Sequence, residues 1–292
     1  MDELPFSETE STSATSSTSP DTAGEAVRVR MLLAYDGGPY HGIASQPGHH
    51  TVGGLVSAAL TQILRAPEPL RLVVAGRTDT GVHAWGQVVH VDIPATADRS
   101  KLGDFAKIRR SLASMLGPTI VIRAMDLAPP HFHARYSAQW RRYRYKVLNE
   151  LTSDPACART AWHVAEPLDL DAMHLAIDPF LGEHDFTAFG RVPRHGRVVS
   201  MRRKVLAAGW QPHGDPDHPQ LLRFEIRATS FCHQMVRAIV GFLVEVGRGT
   251  RHAGEILTLL RERKRPLSAL APARGLTLWE VGYPAPLAIP EP

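Results

Sequence analysis

The chain has 292 residues, of which 43% are hydrophobic and 21% charged, a composition typical of a globular protein with a packed core. No apolar run approaches the roughly 20 residues of a membrane helix, and the first residues lack the pattern of a secretory signal. The only two cysteines, Cys157 and Cys232, lie far apart and share no metal-ligand spacing. We therefore expect a cytoplasmic protein without a disulfide framework or a metal.

The net charge of +4 conceals an uneven distribution along the chain. Residues 1–27 contain six acidic residues and no Lys or Arg, so the remainder carries a net charge of +10. The stretch "STSATSSTS" within residues 1–27 has few groups to bury, which predicts a disordered acidic tail. The basic body suggests a polyanionic partner, but many basic proteins bind no nucleic acid, so charge alone leaves the question open.

The pattern of apolar residues predicts strands and helices in two similar series. The first series is strand 29–35, helix 51–66, strands 71–75 and 86–93, helix 104–116 and strand 119–125. The second is strand 141–149, helix 169–178, strands 198–210 and 220–229, helix 231–247, an additional helix 253–264 and strand 275–283.

Both series approximate the order β-α-β-β-α-β of a ferredoxin-like unit. The prediction is an α+β fold of two such units, residues 28–134 and 135–284, followed by a Pro-rich tail, residues 285–292. We expect the antiparallel or mixed sheets of the two units to adjoin around a central cleft, where a long ligand would bind.

The motif "AGRTDTGVHAWGQVVH", residues 75–90, places Arg77 and Asp79 in a loop between two predicted strands. An isolated Gly-Arg-Thr-Asp is most simply a turn in which Asp79 caps loop amides and Arg77 is a surface charge. The alternative is a catalytic carboxylate that the Arg77 guanidinium keeps ionised in a dry pocket. The motif has no second carboxylate, which disfavours an acid–base glycoside hydrolase.

The same motif resembles the signature of the tRNA pseudouridine synthase A (TruA) family, and five other blocks resemble that family in the same order. They are "AYDGGPYHG" (34–42), "FHARYSAQWRRYRYKV" (132–147), "LGEHDFTAF" (181–189), "FCHQMVRAIVG" (231–241) and "APARGLTLWEVGYP" (271–284). The resemblance covers residues 28–284.

This resemblance implies an isomerase that converts uridine to pseudouridine in the anticodon stem-loop of tRNA, as a homodimer, without cofactor or metal. Asp79 matches the family's catalytic aspartate, and Arg77 the arginine that pairs with it and helps to hold the target nucleotide outside its helix. Tyr143 matches the tyrosine that packs against the flipped uracil, and Leu278 an apolar residue of the pocket. The sequence leaves open whether Asp79 attacks the ribose, adds to the uracil or abstracts a ribose proton.

Several arginines are candidates for contact with RNA phosphates, because such contacts are spread over many basic side chains. The candidates are Arg135, Arg141, Arg142, Arg194, Arg202, Arg203 and Arg237. A solvated face is the alternative for each, and Arg237, within an apolar helix, is expected to be paired near the site. Alternation along the strand puts Arg141, Tyr143 and Tyr145 on one face and predicts that Tyr145 is a core residue.

Two positions depart from the family pattern: Ile43 follows Gly42 where the family usually has tryptophan, and Gly53 replaces a common glutamine. These changes put the contacts of this loop with RNA or a dimer partner in doubt. A non-catalytic RNA-binding protein on the same fold and a nucleosidase that releases uracil remain alternatives. The presence of Arg77, Asp79 and Tyr143 together favours the isomerase.

Overall fold

The computed structural model describes residues 26–192, 200–264 and 268–289, and the strands and helices given below are those within these ranges. The strands are β1 (Val27–Tyr35), β2 (Val73–Val74), β3 (His83–Ile93), β4 (Ile120–Leu127), β5 (Trp140–Leu148), β6 (Trp162–His163), β7 (Gly182–Asp185), β8 (Arg202–Pro212), β9 (Leu221–Ala228) and β10 (Leu276–Gly282). The helices are α1 (Val52–Ile63), α2 (Phe105–Leu116), α3 (Leu170–Leu175), α4 (Met235–Gly247) and α5 (Glu255–Glu262).

All of these strands belong to one mixed sheet, in the order β4-β1-β3-β10-β5-β9-β8-β7, with β2 paired to β3 and β6 paired to β5. The two halves of the chain meet where β10 runs parallel to β3, with Thr277 opposite His83 and Leu278 opposite Ala84. Because β10 lies between β3 and β5, the loop that precedes β3 is brought beside residues from the second half of the chain.

The α+β class predicted from the sequence is confirmed, and the first half has the predicted order β1-α1-β2-β3-α2-β4. The sheet is continuous across both halves, so the division into two ferredoxin-like units stays a prediction. One cluster of buried hydrophobic residues likewise extends across both halves, from Val29 to Leu287.

Several predicted boundaries differ from the structure for local reasons. The predicted helix 231–247 begins at Met235, because Gln234 has a φ of +64°, a left-handed conformation that does not continue a helix. The predicted strand 71–75 is reduced to the two residues of β2, and the predicted strand 198–210 lies at Arg202–Pro212. Strands β6 and β7 were not predicted, because two and four residues are too short to show a period.

The two predicted tails have different outcomes. Residues 1–25 of the predicted disordered tail lie outside the described residues, and Val27 already belongs to β1. Within the predicted Pro-rich tail, Leu287 is buried and its carbonyl accepts a 2.8 Å hydrogen bond from Arg30, and the division of the chain into these segments stays a prediction. No helix among the described residues is both long and apolar enough to cross a membrane.

Candidate active site

Asp79 lies in the loop that joins β2 to β3, and hydrogen bonds fix the backbone on both sides of it. The amide of Val82 donates to the Asp79 carbonyl over 3.1 Å and closes a turn in which Gly81 has a φ of +77°. Thr78 is buried, and its hydroxyl lies 2.7 Å from the hydroxyl of Tyr35 on β1. The loop is therefore held to the sheet directly beside Asp79.

The loop that contains Gly42 approaches this turn very closely. A Cβ added at Gly42, where φ is +81°, would lie 2.4 Å from the Thr78 carbonyl oxygen, and the amide of Ile43 donates to the same oxygen over 3.3 Å. Only glycine combines this backbone conformation with such an approach. The two motifs around residues 34–42 and 75–90 therefore form one packed unit.

The two departures from the family pattern, Ile43 and Gly53, contact each other. The Ile43 side chain is buried, and its carbonyl accepts a 2.9 Å hydrogen bond from the Gly53 amide at the start of α1. A Cβ at position 53 would lie 2.4 Å from that carbonyl oxygen. Ile43 is thus a core residue, and a side chain at position 53 would collide with this arrangement.

The Asp79 carboxylate, whose side chain is 30% exposed, faces the region where α4 begins. One of its oxygens, Oδ1, lies 3.2 Å from Nε2 of His233, and Oδ2 lies 3.9 Å from Nη1 of Arg237. Arg237 is 14% exposed, and its Nε donates a 2.7 Å hydrogen bond to the Ala271 carbonyl. Burial lowers the pKa of Arg237 and the Asp79 charge opposes this effect, so the guanidinium remains a cation.

The expectation that the Arg77 guanidinium lies beside Asp79 is corrected by this geometry. Arg77 is exposed and makes no ion pair or side-chain hydrogen bond with any described residue. Arg77 and Asp79 lie in a loop that turns at Asp79, so their closeness in sequence does not bring the side chains together. The counter-charge comes from α4 in the second half of the chain.

Tyr143 on β5 and Leu278 on β10 are opposite each other in the sheet, and both side chains are buried. A Cβ at Gly76, in the Asp79 loop, would lie 3.7 Å from the Tyr143 hydroxyl and 3.9 Å from Leu278. The Tyr143 ring meets the Phe231 ring edge to face at 5.0 Å. Burial raises the pKa of Tyr143, with Tyr35 and Asp79 acting in the same direction, so the phenol stays protonated.

Strand β5 shows the alternation predicted from the sequence. Arg141, Tyr143 and Tyr145 are buried, and Tyr145 is the predicted core residue, with its hydroxyl donating to the Pro272 carbonyl over 2.7 Å. Arg142 and Arg144 are on the opposite face, where both pair with Glu225. The period of two thus gives β5 one face that points to the site and the core, and an opposite face that carries charged side chains.

The prediction that Arg141 contacts RNA is wrong, because its guanidinium is buried and occupied by backbone carbonyls. It donates to the carbonyls of Ala75, Thr229 and Arg135 over 3.0, 2.9 and 2.6 Å. The carbonyl of the next residue, Gly76, accepts a 2.7 Å hydrogen bond from the Gln87 side chain. Both side chains therefore fix the base of the Asp79 loop.

The other predicted RNA-contacting arginines are spread over the surface. Arg135 is exposed, Arg202 is exposed and pairs with Glu183, and Arg203 donates to two backbone carbonyls. Arg142 also pairs with Glu280, in addition to Glu225. Arg194 lies outside the described residues. RNA contact by these five residues stays a prediction.

His233 is the neighbour of Asp79 that the sequence analysis missed. Arg237 was selected from the same block because a basic residue within an apolar helix is unusual. His233 precedes the helix in an irregular segment, and no sequence spacing connects it with Asp79.

Taken together, the fold and the site define an α+β protein in which the Asp79 carboxylate lies beside Arg237 and His233, near an aromatic and apolar floor. Residues 176–284 match the sequence model of a family described as tRNA pseudouridine synthase. A tRNA pseudouridine synthase A from Leifsonia xyli is 42% identical over 277 residues, which covers 89% of this chain and 93% of the relative.

Two further relatives are similar over almost the same part of the chain. A tRNA pseudouridine synthase A from Cutibacterium acnes is 40% identical over 263 residues, covering 88% of this chain and 89% of the relative. One from Brevibacillus brevis is 38% identical over 257 residues, covering 88% and 99%. The chain belongs to the tRNA pseudouridine synthase A family, which confirms both the resemblance and the isomerase class predicted from the sequence.

Proposed function

We propose that this protein isomerises uridine to pseudouridine in the anticodon stem-loop of tRNA and that Asp79 is its catalytic residue. The observation that carries the proposal is the meeting of both halves of the chain at the β3–β10 junction. There the Asp79 loop, from the first half, faces Tyr143, Leu278 and Arg237 from the second half. Of these side chains, Asp79, Tyr143 and Leu278 are the ones that the family resemblance implies around the uridine.

The reaction places clear demands on the site. The bond from ribose C1′ to uracil N1 breaks, the uracil turns, and a bond from C1′ to C5 forms; C5 loses a proton and N1 gains one. No atom or electron is exchanged with another substrate, so one anionic group that starts the cleavage and a pocket that retains the free base are sufficient. Asp79 is accessible enough to reach a ribose or a base, and Arg237 supplies its counter-charge.

Tyr143 and Leu278 form the floor on which the uracil rests. Extruding a base from a stacked helix costs a few kcal/mol, and stacking against an aromatic ring contributes about 1–3 kcal/mol. The Phe231 ring fixes the orientation of Tyr143 through its edge-to-face contact. The apolar floor and the turn above it exclude water while the base is detached, which prevents hydrolysis to free uracil.

His233 and Arg77 have different roles in this proposal. His233, 3.2 Å from Asp79, is a positioning residue that restrains the carboxylate through one oxygen. Arg77 is exposed at the edge of the same loop. There it contacts the RNA stem at the position from which the target nucleotide has been extruded. The function of Arg77 is therefore to hold the RNA conformation rather than to set the charge of Asp79.

The partner is the anticodon stem-loop, bound through phosphate contacts by exposed arginines such as Arg135 and Arg202. In this proposal the enzyme acts in the cytoplasm as a homodimer, and its sheet combines two ferredoxin-like units of residues 28–134 and 135–284. The cleft between the units contains Asp79.

The decisive experiment compares wild-type protein with Asp79→Asn on unmodified tRNA, followed by mapping of pseudouridine and measurement of RNA affinity. Asp171→Asn, which changes an exposed carboxylate on α3, is the matched control. We expect pseudouridine in the anticodon stem-loop with wild type and Asp171→Asn and none with Asp79→Asn, while all three bind tRNA with similar affinity. Binding without pseudouridine from wild type would support a non-catalytic RNA-binding protein, and release of free uracil would support a nucleosidase.

A further inference from the structure

A second group of chemically reactive side chains lies on the loop after β5 and the turn between β8 and β9. Asp154, Cys157 and His218 each offer one ligand atom, and these atoms all lie within 4.8 Å of one another. The closest pair is Asp154 Oδ2 and His218 Nε2, at 2.9 Å. All three side chains are half-buried, which shields them from bulk water without closing the site.

We propose that Asp154, Cys157 and His218 bind a divalent transition-metal ion, with zinc as the best match. A thiolate, an imidazole and a carboxylate together are ligands that zinc prefers, at metal–ligand distances of about 2.0–2.3 Å. Tetrahedral geometry at these lengths requires ligand atoms about 3.3–3.6 Å apart. The ligand atoms, all within 4.8 Å of one another, lie close to that spacing, and in this proposal a solvent molecule is the fourth ligand.

Glu150 gives independent support from the other side of the imidazole. Its Oε1 lies 3.9 Å from His218 Nδ1, beyond hydrogen-bond distance, whereas Nε2 lies 2.9 Å from Asp154 Oδ2. Histidines that bind metals usually donate the other ring N–H to a carboxylate or carbonyl, which fixes the ring and raises its basicity. In His218, Nε2 is directed to Asp154, and a shift of the Glu150 side chain by about 1 Å would bring Oε1 within hydrogen-bond distance of Nδ1.

The turn from Asp154 to Cys157 is fixed by its own backbone. The backbone carbonyl of Asp154 accepts a 3.1 Å hydrogen bond from the Cys157 amide. The side-chain Oδ1 of Asp154 accepts a 2.6 Å hydrogen bond from the Ala156 amide. Oδ2 therefore remains available to face His218. Preorganisation of this kind reduces the entropy lost when a ligand binds.

The local charge favours a cation at this site. The negative charges of Asp154, Asp215 and Glu150 act on the Cys157 side chain, against the positive charge of Lys146. A divalent ion would place positive charge beside these carboxylates, and a thiol that coordinates it loses its proton. Binding therefore releases one proton, as Cys–SH becomes a metal thiolate, and the affinity falls as the pH is lowered.

The site is separate from the isomerisation, which requires no metal, and its proposed role is to stabilise a loop. The same loop carries Arg159, whose side chain pairs with Asp36 and whose carbonyl lies 3.1 Å from His83 Nε2 at the start of β3. A metal would connect this loop to the β8–β9 turn. Because an ion bound only to the folded state raises its stability, the melting temperature should rise with the metal concentration.

The test uses Co²⁺ as a spectroscopic substitute for zinc in the full-length protein after dialysis against a chelator. We expect one equivalent of Co²⁺ to produce visible d–d bands and a near-ultraviolet thiolate-to-cobalt band, and Zn²⁺ to displace it. Cys157→Ser should abolish the thiolate band, and Cys232→Ser, which removes the other cysteine, should leave it intact. Glu150→Gln should weaken binding by about 10–100-fold, the usual effect of a group that orients a metal ligand.

The outcomes separate the proposal from its alternatives. Absence of a thiolate band in wild type, or its persistence in Cys157→Ser, would overturn the site. A band that Zn²⁺ does not displace would overturn the assignment to zinc. Thermal unfolding provides a second measurement: Zn²⁺ should raise the melting temperature of wild type and of Cys232→Ser, but not of His218→Gln. These readouts are independent of pseudouridine formation, so failure of the proposed function would not affect them.

Discussion

Replacing Gly42 by alanine tests whether the close approach of its loop fixes the position of Asp79. The new methyl group would lie 2.4 Å from the Thr78 carbonyl oxygen and 3.3 Å from the carbonyl carbon of Asp79. Since Cβ contacts shorter than 3.0 Å essentially do not occur, the two loops must separate by at least about 0.6 Å. The displacement acts on the backbone of the residue before Asp79, so the carboxylate moves with it.

Two effects of this substitution need to be separated. Alanine in a left-handed conformation costs about 1–2 kcal/mol wherever it occurs. A shift approaching 1 Å in a catalytic group can reduce the rate about 100-fold. Gly48→Ala is the matched control, because Gly48 has a φ of +74° in the same loop but nothing lies within 4 Å of its added Cβ. It carries the backbone strain without the collision.

The assay is the rate of pseudouridine formation at saturating tRNA, with the free energy of unfolding measured in parallel by denaturant titration. We expect Gly48→Ala to lose about 1–2 kcal/mol of stability and to retain kcat within about twofold of wild type. Gly42→Ala should lose more stability and reduce kcat about 100-fold, with little change in KM. Equal kcat values for the two variants would refute the argument that Gly42 positions the catalytic loop.

Two further predictions concern the stability of the site and its surroundings. Burial of His90, assisted by the charge of Arg28, lowers its pKa from 6.5 to about 4, so the folded state binds fewer protons than the unfolded state between these values. The free energy of unfolding should therefore fall by about 3 kcal/mol as the pH drops from 6.5 to 4. In urea titrations, His90→Gln should show a smaller decrease over the same pH range than wild type. Identical pH profiles for the two proteins would contradict this. Arg141→Lys should lose about 2–3 kcal/mol, because lysine cannot satisfy the carbonyls of Ala75, Thr229 and Arg135 together. An unchanged free energy of unfolding, with weaker tRNA binding, would restore Arg141 as an RNA contact.

The sequence by itself determined the features that depend on local physics. The alternation of "RRYRYKV" identified β5, the buried face with Tyr143 and the core position of Tyr145, because side-chain direction in a strand has a period of two. The glycines around Asp79 predicted a turn, and φ at Gly81 agrees with that prediction. The resemblance of six ordered blocks indicated the family before any contact was known.

Only the tertiary structure decided which charges meet. Arg237, rather than the sequence neighbour Arg77, faces Asp79, and His233 joins it, because β10 pairs in parallel with β3 and brings α4 over the loop. From the sequence Arg141 was a candidate for phosphate contact, but in the structure its guanidinium donates hydrogen bonds to backbone carbonyls.

The cluster of Asp154, Cys157 and His218 has the same origin, since its members come from two loops that only strand pairing brings together. Turn and strand preferences act over a few residues and can be read from them. Contacts between distant segments depend on how the whole sheet is assembled, and no short stretch of sequence contains that information.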